Sequence, residues 1–277
     1  MINPIFCRTL FILAFVFTTG AAMAQASILS NAYAHNDYRN KRPLLDALEN
    51  GFTYVEADIY LRKDKLIVAH ILPCLKKKRT LESLYLQPLL EYVQDKTRDK
   101  NNNKLNECPL TLMIDIKSDA DKTYQALLLV LEKYKPILSG YEDGHTTLRN
   151  VTIVLTGHKP YNLVKDNKSR FVFMDEDLKN AILDSATNLY PIASCKYSSL
   201  LKWKGKGVIP EIELQRLEYY VTEAHKKGRK VRLWASPENK LVWSELLKCK
   251  VDLINTDKLS NLRKFLLADM QEVAKKY

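Results

Sequence analysis

Glycine is scarce in this chain, eight in 277 residues. None of the eight stands in a Gly-x-Gly-x-x-Gly turn after a strand or in a Gly-x-x-x-x-Gly-Lys phosphate loop, so the usual mark of a nucleotide-binding sheet is missing. Cysteine is sparse too, with five residues and no two at the short spacing of a zinc site. Cys7 aside, Cys74, Cys108, Cys195 and Cys249 allow three disulfide pairings, and the sequence leaves these equal to free buried thiols. The five histidines form no cluster at metal-ligand spacing, which argues against a histidine-built metal centre. Internal repeats, low-complexity tracts and linkers are absent, and beyond the first residues no apolar run is long enough to span a bilayer.

What is present begins with a leader. Arg8, the apolar run 10–17 and Ala22-Met23-Ala24 have the order of a secretory signal peptide over residues 1–24. The expected protein is therefore exported, periplasmic or extracellular, with residues 25–277 as one domain. Cys7 precedes the apolar run, so a lipid-anchored form is not indicated. The net charge is +11, and removing the leader, which carries Arg8 and no acid, lowers it by one. Such a surplus steers anionic partners. The lysine runs 76–78, 202–206, 226–230 and 275–276 are scattered and read mostly as solvated faces, so no nucleic-acid partner is expected.

Short β-branched runs alternate with amphipathic stretches, the pattern of repeated βα units around a parallel sheet. Strands are expected at 32–35, 54–60, 110–116, 151–156, 171–174, 191–193, 231–235 and 251–255, with 66–70 as a hairpin partner of the second. Helices are expected at 43–50, closed by Gly51, at 81–93 with a break near Pro88, and at 124–134, 212–227, 241–248 and 259–275. A charged, asparagine-rich loop fills 96–104. Eight strands in a chain of this length fit an α/β fold, a single (β/α)8 TIM-type barrel.

The chemistry gathers on the second strand. Alternate strand residues share a face, so Glu56 and Asp58 point one way while Val55, Ala57 and Ile59 point into apolar packing. Two adjacent ionised carboxylates repel each other, and a bound hard cation, Mg²⁺ or Ca²⁺, relieves the repulsion with oxygen ligands. His35 and His70 end apolar runs on either side and suit general acid and base work. Strand ends at the C-terminal rim of a barrel build its active site. There the sequence also places Asn36, Asp115 with Lys117 two residues on, Thr156, His158, Trp234, Asn255 and Asp257. Asp115 completes a three-carboxylate oxygen site, with Lys117 as a cation for a phosphate. His145 and His225 have no comparable partners and read as surface residues.

In His35-Asn36-Asp37, Glu56-Ala57-Asp58, Ala69-His70, Asp115-Ile116-Lys117, Leu233-Trp234-Ala235 and the closing segment 251–257, the chain resembles the phospholipase C-like and glycerophosphodiester phosphodiesterase superfamily of (β/α)8 barrels. Its opening and the segment 79–86 are most similar to a His-Asn-Asp branch found in secreted bacterial proteins and in a yeast mitochondrial-inheritance protein. The resemblance implies His35 and His70 as catalytic acid and base, Glu56, Asp58 and Asp115 as Mg²⁺ or Ca²⁺ ligands, and Lys117 as a phosphate contact. It also implies Asn36, Trp234 and Asn255 as substrate-pocket residues. Two departures stand out: typical members have His-Arg-Gly where this chain has His-Asn-Asp, and glutamate where Asp115 stands, the aspartate being more like the sphingomyelinase D-like branch.

The function so implied is an exported, metal-dependent phosphodiesterase that hydrolyses or cyclises a glycerophosphodiester or phospholipid head-group phosphodiester. Its partners would be that small-molecule or lipid substrate, with at most peripheral membrane contact and a monomeric chain. The alternative is a catalytically inactive barrel that binds an anionic head group or glycan.

Overall fold

The computed structural model describes residues 27–71, 78–98, 109–181, 183 and 188–275. The expected leader 1–24, Cys74, Cys108 and most of the 96–104 loop lie outside the described residues. In chain order the strands are β1 (Leu29–Ala34), β2 (Phe52–Arg62), β3 (Lys65–Val68), β4 (Leu110–Ile116), β5 (Gly140–Glu142), β6 (His145–Thr147), β7 (Val151–Gly157), β8 (Ser169–Arg170), β9 (Val172–Asp177), β10 (Ile192–Lys196), β11 (Lys230–Trp234) and β12 (Ile254–Thr256).

Eight of these run side by side in parallel, in the order β12-β1-β2-β4-β7-β9-β10-β11. A parallel bridge between Arg232 and Leu253 brings β11 to β12 and all but closes the circuit. The expected eight-stranded barrel is therefore present. Its eighth strand is shorter than the 251–255 run suggested, with Leu253 joined only through that bridge.

Period-two alternation builds the barrel. Val55, Ala57 and Ile59 of β2 face out and join the large core between strands and helices. Tyr33, Tyr54, Met113, Val154, Phe173, Ile192 and Leu253 form a separate apolar layer inside the barrel. Register then lifts the polar residues together: Asp58 pairs with Asp115, and Asp115 with Thr156, so acids from neighbouring strands meet at one level. Helices Ala120–Leu131, Glu211–Lys226, Lys240–Lys248 and Leu259–Ala274 cover the outside. Asp119 and Asn239 cap two of them by accepting from the backbone amides of Lys122 and Val242.

Several local expectations change. The first helix is only Leu45–Glu49. Pro88 breaks nothing: a π-helical turn at Glu82–Leu86 leads directly into the helix Gln87–Arg98, and the wide turn makes room ahead of the proline ring. The helix expected at 124–134 starts earlier and ends at Leu131, passing into a 3₁₀ segment that holds Pro136. β5, β6 and β8 form an unexpected three-stranded antiparallel sheet beside the barrel. Cys195 and Cys249 are buried free thiols, and burial pushes them up to about 12 and about 11.

Candidate active site

The acids come together as the strand geometry demands. Glu56 and Asp58 leave the same face of β2, Asp115 leaves β4 opposite Asp58, and one oxygen from each lies within 4.8 Å of the others. Glu56 and Asp58 are 3% and 2% exposed. Burial raises the pKa of Glu56 and Asp115, with the charges of Arg232 and Lys117 pulling the other way. Asp115 Oδ1 is buried without a hydrogen-bond partner among the described residues. Three convergent carboxylates, one with an unpaired oxygen, suit a hard divalent cation. Room for Asp115 comes from Gly157 at the end of β7. A Cβ there would stand 2.0 Å from Asp115 Oδ1, and the residue holds φ +71°.

Lys117 folds back over the acids. Its Nζ donates to Asp115 Oδ2 at 2.6 Å and lies 3.5 Å from Asp58 Oδ2. Partial burial would lower its pKa, but the Asp115 hydrogen bond and the acid charges win, so it stays a cation. Its side chain keeps partial contact with solvent.

The two histidines bracket the acids. His35 follows β1, with Nδ1 2.5 Å from Asp257 Oδ1 and Nε2 3.6 Å from Glu56 Oε2. Burial pulls its pKa down, yet the Asp257 hydrogen bond and the Glu56 and Asp257 charges raise it overall. The same contact lowers Asp257 despite its own partial burial. His70 follows β3, its Nδ1 3.0 Å from both Asp58 Oδ2 and the Tyr38 hydroxyl. Tyr38 also reaches Asp58 Oδ2 at 2.9 Å and donates to Asn36 Oδ1. Each imidazole is thus held by a carboxylate, the arrangement that fixes a tautomer for proton transfer. A cleft of about 250 Å³ opens beside His70, with Arg39 and Arg79 among its walls.

The remaining expected residues are at the same rim. Asn36 sits at φ 50°; its amide donates to Glu56 and its side chain to Asp257, so it braces the site more than it faces the opening. Asn255 is buried in the barrel mouth with Oδ1 unpartnered among the described residues, and Trp234 is half-exposed at the end of β11. Thr156 donates to Asp175 at 3.3 Å, while His158 points outward and meets the Ser118 carbonyl at 3.0 Å.

Sequence reasoning passed over Tyr38, Arg232 and Asp175. Arg232 lies fully inside the barrel, its guanidinium 4.1 Å from the Tyr33 ring centre and 4.0 Å from Glu56 Oε1. Its signal was the two-residue step to Trp234, which puts both on one face of β11. Asp175 is buried and accepts from Ser194.

Residues 23–175 match the AIM6-like phosphodiesterase domain family, and residues 230–260 match the glycerophosphoryl diester phosphodiesterase family. The altered inheritance of mitochondria protein 6 of Eremothecium gossypii is 30% identical over 275 residues, covering 86% of this chain and 70% of that protein. The homolog of Arthroderma benhamiae is 29% identical, covering 81% and 80%. In fold, a crystal structure of a glycerophosphodiester phosphodiesterase from Parabacteroides distasonis superposes with a TM-score of 0.53 at 14% identity, covering 88% of this chain and all of that one. The chain belongs to the AIM6-like phosphodiesterase domain family, within the glycerophosphodiester phosphodiesterase-like superfamily.

Proposed function

We propose that this protein is an exported phosphodiesterase that uses one divalent cation, Mg²⁺ or Ca²⁺, and acts on a glycerophosphodiester or phospholipid head-group phosphodiester. The observation that carries the proposal is the pair of carboxylate-held imidazoles at the Glu56–Asp58–Asp115 cluster, His35 reaching Glu56 and His70 reaching Asp58. A binding barrel has no need of two proton-transfer groups beside an oxygen-rich metal site.

When bound, the cation neutralises charge on the phosphoryl oxygens. Glu56, Asp58 and Asp115 would hold it, and Lys117 adds a second positive charge to the same oxygens. One imidazole takes the proton from the attacking hydroxyl, of water or of the substrate itself, and the other protonates the leaving alkoxide. Asp257 keeps His35 oriented, and Asp58 with Tyr38 does so for His70. The guanidiniums of Arg39 and Arg79 in the cleft supply the phosphate-directed charge that Asn36 cannot.

The test is turnover of a panel of glycerophospho-alcohols, lysophospholipids and phosphoinositides, with and without chelator. His35→Ala and His70→Ala should each lose roughly 10²–10⁴-fold in rate with far-UV dichroism unchanged, the usual scale for a general acid or base. Unchanged turnover in both variants refutes the assignment. Cation binding with no turnover on any member favours the silent binder.

A further inference from the structure

The lysine run at 202–206 looks like solvated surface in sequence, but its place in the fold gives it a partner. It lies in the loop that leaves the C-terminal end of β10, on the rim that carries the candidate active site. Between Lys196 and Val208 there are lysines at 196, 202, 204 and 206 and no acid. The loop has a defined shape. Trp203 is buried under it and donates from Nε1 to the Lys206 carbonyl at 3.0 Å, while the Tyr197 hydroxyl donates to the Trp203 carbonyl at 2.7 Å. Glu213 Oε2 accepts the Lys202 and Trp203 amides at 2.8 and 3.0 Å, so this acid is turned inward. Lys204 and Lys206 are left pointing to solvent.

Apolar side chains emerge among these charges. Val208, which ends the loop, is 91% exposed, and Ile212, in the first turn of the following helix, is 64% exposed. The next rim loop touches this one, since Asn239 Nδ2 donates to the Lys204 carbonyl at 3.3 Å, and two residues on Leu241 is 57% exposed. Trp234 ends the neighbouring strand with Lys196 Nζ 5.8 Å from its ring centre. Large aliphatic side chains this exposed, set among lysines on one edge, call for a surface that is anionic and also accepts hydrocarbon. Nucleic acid offers the charge but asks for a run of stacking aromatics, and this edge exposes one, Trp234, beside three aliphatic side chains. The exposed acid on the edge, Glu211, is engaged by Gln215.

We propose that the 202–208 loop, with Ile212 and Leu241, is a docking face that seats the barrel mouth on an anionic phospholipid bilayer. Val208, Ile212 and Leu241 enter the head-group layer, and Lys204 and Lys206 pair with lipid phosphates. No described helix is long and apolar enough to cross a membrane, and the contact proposed here is peripheral. The face would bring the catalytic rim to lipid-borne phosphodiesters, but its existence does not depend on turnover.

The experiment is flotation of the protein with vesicles of phosphatidylcholine alone and of phosphatidylcholine with phosphatidylglycerol. Partition should be at least about tenfold stronger with phosphatidylglycerol and should weaken with salt. Lys204→Glu/Lys206→Glu should cut it by at least roughly 25-fold, about fivefold for each lysine lost near the surface, with the added acids weakening it further. Val208→Ser/Ile212→Ser should remove most of the binding that persists at high salt. Both pairs are exposed, and unchanged thermal unfolding would show intact folds. Equal partition onto the two vesicle types, no effect of the lysine reversal, or tighter binding to a polynucleotide through the same lysines would each overturn the proposal. Loss of turnover with partition intact would sink the enzymatic reading and leave this one standing.

Discussion

Removing one charge from the acid cluster without changing its shape gives the most direct test of the cation site. Glu56, Asp58 and Asp115 bring oxygens within 4.8 Å of one another in a nearly dry setting. At an effective dielectric of 20, each ionised pair at that distance costs roughly 3 kcal/mol before Lys117 and Arg232 are counted. Burial raises Glu56 and Asp115. A carboxyl whose folded value is raised stabilises the fold at low pH and loses that contribution as pH climbs through the folded value. The cation-free protein therefore carries its strain at neutral pH, where a divalent ion relieves it. Ion at about a hundred times its dissociation constant adds about 2.7 kcal/mol, which for a barrel of this size raises Tm by about 5–10 °C. Differential scanning fluorimetry with Mg²⁺ or Ca²⁺ measures this directly. The shift should be largest at neutral pH and shrink towards pH 4 as protons compete. In Asp115→Asn the shift should vanish, while the cation-free Tm holds steady or rises, because Lys117 keeps Asp58 as a partner at 3.5 Å. A full cation shift in Asp115→Asn, or none in the wild type with either ion, would refute the reasoning.

Two further outcomes follow from the same geometry. Asp257→Asn should lower the imidazole pKa of His35, read by NMR titration. Its loss of stability should be confined to pH values between the lowered Asp257 and the raised His35, since the ion pair is absent below the first and above the second. Gly157→Ala should destabilise the fold by more than about 1 kcal/mol in urea unfolding, because φ is +71° there. It should also weaken calorimetric cation binding, because the new Cβ would stand 2.0 Å from Asp115 Oδ1 and 2.6 Å from the Ile116 carbonyl.

The barrel was legible because strands declare themselves by alternation. Val55, Ala57 and Ile59 had to face one side and Glu56 and Asp58 the other, and parallel register then made Asp115 their neighbour. Elements with no room for a period were hidden: β5 and β6 have three residues each and β8 two, too few for any pattern. Pro88 misled for a different reason. The expected break assumed regular α-helical turns before the proline, and the π-helical turn removes the clash behind that rule. Arg232 stayed hidden because a guanidinium in an apolar strand is expected at the surface. Its burial depends on the Tyr33 ring beneath it and acids on other strands. Tyr38 meets His70 only because rim loops fold over one another, a closeness that no spacing along the chain records.

The His-Asn-Asp opening, which set this chain apart from typical relatives, has a structural reason. Asn36 adopts a left-handed conformation that asparagine tolerates better than most residues, and this turns its amide towards Glu56 Oε2 at 3.3 Å. From there its side chain donates to Asp257 and accepts from Tyr38, tying the partner of His35 to the partner of His70. Asp37 is buried beneath, held by the Leu44 amide at 2.6 Å and the Tyr85 hydroxyl at 3.0 Å. An arginine at position 36 would bring charge but could not accept from Tyr38, and it would meet Arg39, whose Nη1 already lies 3.9 Å from Asp257. The opening therefore spends its polarity on holding the two imidazoles.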